Sequence, residues 1–360
     1  MMRAALALAR RSLGRTWPNP AVGCVVVKDG LVVGRGRTRD GGRPHAEVDA
    51  LTQAGEAARG ATVYVTLEPC SHYGKSPPCA DALVSAGVAK VVSALQDPNP
   101  QVNGAGHERL RRAGITVEVG EGAAEAADIN AGFLMRETEG RPLFHLKTAA
   151  SLDGRIATAS GDSKWITGAA ARADGQRLRA LHDAILVGAN TVAADDPELT
   201  CRLPGLERYS PTRIVLDSQA RMSPDSKLAL TANKTPVWLI CTERAPAAAR
   251  DALQAKGVEV IEVASNAQGR VDVAAAAQAL GQRKLTRVLI EGGGEVAASF
   301  LGAGLVDRVT SYQAGLLLGA DSRSAVGPLG LEKLGFATRF RLVSARPLAG
   351  DVVETWHRAA

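Results

Sequence analysis

The chain has 360 residues, of which 46% are hydrophobic and 22% are charged. This length exceeds the size at which one hydrophobic core usually stops growing, so two domains are expected. The formal net charge is +6 without any dense basic block, and only 4% of the residues are aromatic. This composition disfavours a nucleic-acid-binding surface of basic and aromatic side chains. No apolar run reaches the 18 or so residues of a membrane helix, so no membrane partner is expected either.

The cysteines indicate the redox environment. Five are spread along the chain: Cys24, Cys70, Cys79, Cys201 and Cys241. An odd number at wide spacing argues against a disulfide framework and favours a reducing compartment, so a cytoplasmic protein is expected. Residues 1–15 are arginine-rich and free of acids, as in transit peptides. They lead directly into Trp17-Pro18 and a strand pattern, so we interpret them as the first helix.

The N-terminal part alternates short strands with helices, which predicts a layered α/β sheet. Strands are predicted at 21–27, 31–33, 61–67, 88–95 and 115–119, and helices at 3–13, 45–58, 79–86, 104–113 and 122–135. Asp29-Gly30 predicts a hairpin between the first two strands. Charged and turn residues interrupt the pattern at 137–142, and we place the domain boundary between residues 143 and 144.

One motif in this part carries chemistry. His45 and Glu47 lie in Pro44-His45-Ala46-Glu47, Cys70 follows Pro69, and Cys79 comes after eight further residues. One histidine and two cysteines suit zinc, and three protein ligands leave a fourth position for water. Glu47 can move protons without binding the metal. The order H-x-E, then P-C and a second cysteine, is typical of zinc deaminases, which release ammonia from a ring carbon.

Other interpretations of this motif remain open. His45 could cap a helix, and the cysteines could form a structural zinc clip with His72 as the fourth ligand. That interpretation gives no reason for Glu47 or for a proline before both His45 and Cys70, so a catalytic zinc is favoured. A second alternative is a nucleoside or tRNA deaminase with a C-terminal binding module. The long gap between the cysteines argues against it, because such enzymes usually carry P-C-x-x-C.

The second half predicts another doubly wound α/β domain. Strands are predicted at 144–149, 184–188, 213–217, 236–241, 258–263, 286–291 and 307–313, and helices at 169–181, 246–256, 273–281 and 295–303. Three glycines follow Glu291, the last residue of the strand at 286–291, which suits either a phosphate at a helix N-terminus or a simple tight turn. Residues 161–167 form either a polar binding edge or a surface loop with a core tryptophan. Asp195 and Asp196 are either acid/base carboxylates or a capping turn.

Together these stretches resemble the bifunctional riboflavin-biosynthesis deaminase/reductase family. The matching motifs span nearly the whole chain in order: Pro18-Asn19-Pro20-Ala21-Val22-Gly23-Cys24, Pro44-His45-Ala46-Glu47-Val48, Thr66-Leu67-Glu68-Pro69-Cys70-Ser71-His72, Pro77-Pro78-Cys79, Asp97-Pro98-Asn99-Pro100, Ser151-Leu152-Asp153-Gly154-Arg155, Trp165-Ile166-Thr167, Asp195-Asp196-Pro197 and Glu291-Gly292-Gly293. The resemblance implies a cytidine-deaminase-like α/β domain over 1–143 and a dihydrofolate-reductase-like α/β domain over 144–360. The first would deaminate a phosphorylated diaminopyrimidinone, and the second would reduce its ribosyl group with NADPH.

The resemblance also implies roles for single residues. His45, Cys70 and Cys79 would hold one Zn²⁺ per chain, Glu47 would shuttle protons, and Asn19 and Lys75 are candidates for holding the pyrimidine and its phosphate. The implied NADPH contacts are Ala149, Trp165, Thr191, Asp195, Ser218, Gly293, Gly294, Glu295, Val296, Ala297, Ala298 and Ser299. The implied substrate contacts are Ser163, Arg179, Leu199, Arg202 and Glu291. No proton donor for the reduction is obvious, with Glu291 or Asp195 as possible helpers. A homo-oligomer is implied, and the remaining histidines are interpreted as structural.

Overall fold

A computed structural model describes residues 1–74 and 77–359. The chain divides into two compact units, Met1–Gly140 and Arg141–Ala360. This division lies slightly before the predicted boundary at 143/144, which falls just inside the first strand of the second unit. Among the described residues, no helix is long and apolar enough to cross a membrane.

The first unit is a mixed sheet with helices on both faces. Its elements are α1 (Met2–Arg10), β1 (Gly23–Lys28), β2 (Leu31–Arg37), α2 (Ala46–Ala54), β3 (Thr62–Val65), α3 (Cys79–Ser85), β4 (Lys90–Ser93), α4 (Ala105–Arg112), β5 (Thr116–Val119) and α5 (Ala123–Glu139). The strand order is β2-β1-β3-β4-β5. Strand β1 runs antiparallel to β2 and β3, whereas β3, β4 and β5 are mutually parallel.

Alternation along β1 explains this layering, because successive side chains of a strand point to opposite faces. Val26 packs in a core with side chains of α2, α3 and α4. Its neighbour Val25 packs in a second core with side chains of α1 and α5. The sheet is therefore covered on both faces. Helices α2 and α3, which begin next to His45 and at Cys79, pack in the same core on one of these faces.

The second unit is built around a larger, mostly parallel sheet. Its elements are β6 (Leu143–Ser151), β7 (Arg155–Ala157), α6 (Ala169–Ala180), β8 (Ala184–Gly188), α7 (Ala189–Asp195), β9 (Thr212–Leu216), α8 (Lys227–Leu230), β10 (Val237–Thr242), α9 (Ala247–Gln254), β11 (Glu259–Val263), α10 (Val273–Gln282), β12 (Arg287–Ile290), α11 (Gly294–Gly302), β13 (Val306–Ala314), β14 (Arg323–Ser324), β15 (Phe340–Leu348) and β16 (Asp351–Arg358). The strand order is β11-β10-β9-β8-β12-β6-β13-β16-β15, and β7 pairs separately with β14.

The predicted layered α/β architecture is confirmed in both units, with corrections in detail. The strands from β11 to β13 in the sheet order are mutually parallel, whereas β16 and β15 are antiparallel additions that the sequence analysis missed. It also missed β7, α7, α8 and β14. The helix predicted at 45–58 ends at Ala54 and continues only as a 3-10 turn over Gly55–Ala58, because Gly55 takes a positive φ of 52°. The helix predicted at 122–135 extends to Glu139 and ends at a left-handed Gly140.

Candidate active site

Three metal-ligating side chains converge in the first unit. His45 immediately precedes α2, Cys79 is the first residue of α3, and Cys70 lies in the segment after β3. His45 Nδ1 is 3.3 Å from Cys79 Sγ and 3.7 Å from Cys70 Sγ. The three ligand atoms all lie within 4.8 Å of one another. The fold thus brings together the three residues that the sequence predicted as zinc ligands.

This donor set fits zinc. Zinc–sulfur distances of about 2.3 Å and zinc–nitrogen distances of about 2.0–2.1 Å in a tetrahedral site put nitrogen and sulfur about 3.6 Å apart. The two nitrogen–sulfur distances lie on either side of this value. The thiol of Cys79 and its backbone N–H both lower the pKa of Cys70, so that its thiolate form is favoured. Because the thiolate is the form that binds metal, the electrostatics agree with the geometry.

Glu47 lies beside this cluster in the first turn of α2 and is only 4% exposed. Burial raises the pKa of its carboxyl to about 7, although the positive charge of His45 opposes the shift. A carboxyl with a pKa close to the working pH can both accept and return a proton. Glu47 is therefore buried next to the predicted metal ligands, with a pKa that suits proton transfer.

The sequence predicts two further residues of the deaminase site, Asn19 and Lys75. Asn19 lies in the segment between α1 and β1, and its side-chain amide packs directly against the backbone of Gly42. Gly42 is close in sequence to His45, so Asn19 lies at the side from which α2 begins. Lys75 lies outside the described residues.

A second polar cluster lies where β12 ends, beside the middle of β6. Arg179 of α6 donates from Nε and Nη2 to the two carboxylate oxygens of Glu291, at 2.8 and 3.0 Å, and from Nη1 to the carbonyl of Thr200. Lys147 of β6 places its Nζ 3.5 Å from Glu291 Oε2. Burial raises the pKa of Glu291, but Arg179 and Lys147 outweigh it and lower this pKa to about 2.

The predicted substrate contacts fall partly around this cluster. Arg202 donates its backbone N–H to Gln176 of α6, and its side chain, 57% exposed, lies 3.6 Å from Glu198. Leu199 is buried beside it in sequence, with a positive φ of 55°. The fold therefore gathers Arg179, Leu199, Arg202 and Glu291 near α6. Ser163 lies separately, in the loop between β7 and α6.

The predicted NADPH contacts lie along one edge of the second sheet. Thr191 of α7 accepts the backbone N–H of Gly293 through Oγ1 at 3.3 Å, which ties α7 to the glycine turn before α11. Ser218 follows β9 and accepts the N–H of Val271. The parallel strands β6, β8, β9 and β12 all end at this edge, which is where open α/β sheets bind ligands.

The remaining predicted cofactor residues are placed as follows. Residues 294–299 form the first turns of α11, Ala149 lies near the end of β6, and Asp195 is the exposed last residue of α7. Trp165 is 68% exposed, and the guanidinium of Arg172 lies 4.6 Å from the centre of its ring. This exposed face suits a planar ligand and contradicts the alternative of a core tryptophan.

Comparison with known proteins follows the same division of the chain. Residues 1–95 match the cytidine and deoxycytidylate deaminase zinc-binding region, and residues 142–353 match the RibD C-terminal domain. The riboflavin biosynthesis protein RibD of Escherichia coli (strain K12) is 45% identical to the chain, over 98% of the chain and 96% of that protein. This chain belongs to the RibD family. The resemblance stated from the sequence, and the two-domain α/β fold that it implied, are thereby confirmed.

Solved RibD structures are similar over the whole chain. Acinetobacter baumannii RibD, form 1, has a TM-score of 0.89 at 42% identity and covers 100% of this chain and 98% of its own. The diaminohydroxyphosphoribosylaminopyrimidine deaminase/5-amino-6-(5-phosphoribosylamino)uracil reductase of Thermotoga maritima has a TM-score of 0.86 at 34% identity, with 99% and 97% covered. RibD membership therefore extends across both units.

Sequence reasoning missed several polar groups of these sites. Lys147 interrupts an apolar predicted strand, and a charged residue at such a position was a usable signal. Glu68 was quoted within a motif but given no role, although its side chain is fully buried. The contacts of Arg109 and Asp81 join separate elements, and nothing in the local sequence indicates them.

Proposed function

We propose that this RibD-family chain catalyses two consecutive steps of riboflavin biosynthesis on a small phosphorylated pyrimidine. The first unit removes the 2-amino group of 2,5-diamino-6-ribosylamino-4(3H)-pyrimidinone 5′-phosphate by zinc-dependent hydrolysis. The second unit reduces the ribosyl group of the product to ribityl with NADPH. The supporting observation is the convergence of His45, Cys70 and Cys79 beside the buried Glu47. The RibD C-terminal match on the same chain supports the reductase.

In the deamination, His45, Cys70 and Cys79 would hold Zn²⁺, which would act as a Lewis acid and supply an activated water. Glu47 accepts a proton from the attacking water and returns protons to the ring nitrogen and to the leaving amino group. The new carbonyl forms at ring carbon 2 while the carbon–nitrogen bond breaks and ammonia leaves. Burial of Glu47 keeps bulk water from competing for these protons.

In the reduction, the residues predicted to contact NADPH would hold the cofactor, which would supply a hydride to C1′ of the ribosyl group. The C1′–O4′ bond breaks, and O4′ needs a proton to become the hydroxyl of the ribityl chain. Glu291 is a poor donor, because its pKa of about 2 keeps it ionised at neutral pH. The ammonium of Lys147 carries protons in the same cluster, so we assign the donor role to Lys147.

The geometry also refines the expected phosphate contacts. Both arginines were expected to bind phosphate because a guanidinium can engage it bidentately. The fork of Arg179 is engaged by the Glu291 carboxylate instead, so Arg179 orients Glu291. Arg202 has a largely exposed side chain, and its ion pair with the exposed Glu198 is long, at 3.6 Å. We therefore assign the phosphate contact to Arg202.

Glu47→Gln tests the deaminase assignment. The diaminopyrimidinone ribotide is supplied to zinc-replete enzyme with NADPH, and ammonia release and NADPH oxidation are followed in one tube. The parent enzyme should release ammonia first and oxidise NADPH with a lag. The variant should keep its zinc, release no ammonia and still oxidise NADPH when the deaminated ribotide is added directly. Full ammonia release by Glu47→Gln would refute the mechanism.

Three further expectations from the sequence stay predictions. These are the homo-oligomeric assembly, the cytoplasmic location and the absence of a nucleic-acid partner. The match of residues 142–353 to the RibD C-terminal domain favours a reductase over the alternative of a binding module in this half.

A further inference from the structure

The wide separation of the two cysteines poses a structural problem. In P-C-x-x-C deaminases the short spacing itself limits the distance between the thiols. Here residues 71–78 intervene, so the local chain does not fix that distance. Nevertheless the backbone N–H of Cys79 donates to Cys70 Sγ at 3.3 Å, and the N–H of Ala80 donates to the Cys70 carbonyl at 3.1 Å. Another element must hold the two cysteine segments in register.

The first turn of α4 holds the segment that carries Cys70. Glu68, two residues before Cys70, has a fully buried side chain. Its carboxylate accepts four backbone N–H groups, those of Asp97, Gly104, Gly106 and His107, at 3.1, 2.9, 2.8 and 3.3 Å. Three of these donors lie at the start of α4, where the helix dipole favours a negative charge. The carboxylate therefore fixes the segment to the helix by several bonds at once.

The same turn also lies in direct contact with the peptide that precedes Cys70. A Cβ atom built on Gly106 would lie 2.0 Å from the carbonyl oxygen of Pro69, so a larger residue there would displace that peptide. The absence of a side chain lets α4 approach to this distance. Helix α4 thus fixes the position of Cys70 in two ways, through the Glu68 side chain and through the Pro69 backbone.

Arg109, in the next turn of α4, reaches both cysteine segments. Its Nη1 donates to the carbonyl of Ser71, directly after Cys70, at 3.3 Å. Its Nη2 donates to Oδ2 of Asp81 at 2.7 Å, and Nε also contacts that carboxylate. Asp81 lies in the first turn of α3, two residues after Cys79. One guanidinium therefore links the two segments through a single rigid helix.

We infer that Glu68 and Arg109 are positioning residues that set the Cys70–Cys79 spacing for the metal. The inference rests on the zinc site proposed above and adds to it the element that replaces a short cysteine spacing. Groups that orient metal ligands typically change metal affinity by about 10- to 100-fold when they are removed. Glu68 and Arg109 act through the cysteines and do not touch the substrate.

The test uses the full-length protein loaded with Co²⁺ or Zn²⁺. Metal affinity is measured by chelator competition, and the visible spectrum of the cobalt form measures ligand geometry. Arg109→Gln is expected to weaken metal binding by about 10-fold or more and to change the cobalt spectrum. Arg112→Gln is the matched control, because Arg112 lies on the same helix with a 78% exposed side chain and pairs only locally with Glu108 among the described residues. It should leave both measurements unchanged.

Two further variants sharpen the test. Asp81→Asn should weaken metal binding as much as Arg109→Gln. The double variant should weaken it little further, because both substitutions remove the same contact between Arg109 and Asp81. NADPH oxidation on directly supplied deaminated ribotide should stay at the parent rate in all of them, which excludes general unfolding. Glu68→Gln should weaken metal binding likewise. If it does not fold, Arg109→Gln still decides the question.

The possible outcomes separate the two proposals. Parent-like metal affinity and an unchanged cobalt spectrum in both Arg109→Gln and Asp81→Asn would overturn the positioning role while leaving the zinc site intact. A parent protein that binds no metal, or whose cobalt spectrum lacks sulfur ligation, would overturn the zinc site and this inference with it. A specific loss of metal affinity in these two variants, absent from Arg112→Gln, supports the inference.

Discussion

Replacing Lys147 with methionine should remove most of the reductase activity and leave the deaminase intact. Methionine keeps the length and apolar stem of the side chain but lacks the ammonium that lies 3.5 Å from Glu291 Oε2. Removal of a general acid typically slows a reaction by about 10²- to 10⁴-fold. This corresponds to about 3–5 kcal/mol of lost transition-state stabilisation. The first unit contains none of these residues, so ammonia release should be unchanged.

The same substitution has a calculable effect on stability. Glu291 has a side chain only 7% exposed, and its pKa is lowered from 4.5 to about 2. At about 1.4 kcal/mol per pKa unit, the ionised cluster contributes about 3 kcal/mol. Arg179 is the larger of the two favourable causes and remains in the variant. Lys147→Met should therefore lower the free energy of unfolding by about 1 kcal/mol at pH 7.

The pH dependence of this loss has a definite sign. A carboxyl whose folded pKa is depressed contributes its stability fully above its unfolded pKa and loses it as the pH falls through the folded pKa. For Glu291 this window runs from about pH 4.5 down to about pH 2. In Lys147→Met the folded pKa of Glu291 lies higher, so the difference in unfolding free energy between variant and parent should stay nearly constant down to about pH 3 and shrink as the pH falls towards 2.

The assay supplies the deaminated ribotide directly and records kcat and KM for NADPH oxidation. Lys256→Met serves as the control, because Lys256 lies beyond α9 in a 3.8 Å pair with the exposed Asp225. A fall in kcat with an unchanged KM supports proton donation. A raised KM with unchanged kcat would mean that Lys147 only binds substrate, and parent-like kinetics would refute the reasoning altogether.

The remaining predictions concern three other features. Gly42→Ala should abolish ammonia release but not NADPH oxidation on supplied product, since its Cβ would lie 1.9 Å from the Asn19 amide and φ is +85°; an active variant would contradict this placement. Chelation of zinc should likewise abolish ammonia release and leave NADPH oxidation unchanged. Loss of both activities would contradict the assignment of the two reactions to separate sites. Burial lowers the pKa of His145, and that of His182 to about 3. Stability should thus be full above about pH 6.5 and fall below it by about 1.4 kcal/mol per pH unit per histidine, measured by urea unfolding.

Periodicity predicted most of the fold because the buried strands are short apolar runs. The predicted strand at 184–188 coincides with β8, whose residues are all buried. Strand β15 was missed because its residues are mostly exposed and include Pro347, which argues against a strand by local rules. The structure resolves the conflict by placing β15 at the end of the sheet, next to β16, where a proline is tolerated.

The two sites differ in how far the sequence predicts them. His45 and Glu47 share one helical turn, and each cysteine follows a proline, so the zinc ligands were identifiable from local patterns. The bidentate pair of Arg179 and Glu291 joins residues 112 positions apart, which no local pattern indicates. The chemistry of the guanidinium group predicted that Arg179 binds an anion. It did not predict that the anion is a carboxylate of the protein itself.

In each unit, further side chains hold the predicted site residues in place. A reacting group needs a fixed position, and a loop at the carboxyl end of a strand does not provide one by itself. In the first unit the supporting group is separate from the ligands, since Glu68 fixes the Cys70 segment to the start of α4. In the second unit the supporting group lies inside the cluster itself, because Glu291 is held by Arg179 and lies 3.5 Å from the ammonium of Lys147, the proposed proton donor. Loss of the Glu68 carboxylate should therefore lower the metal affinity but leave the three metal ligands in place. Loss of the Glu291 carboxylate should disturb both the position of Lys147 and the protonation step of the reduction.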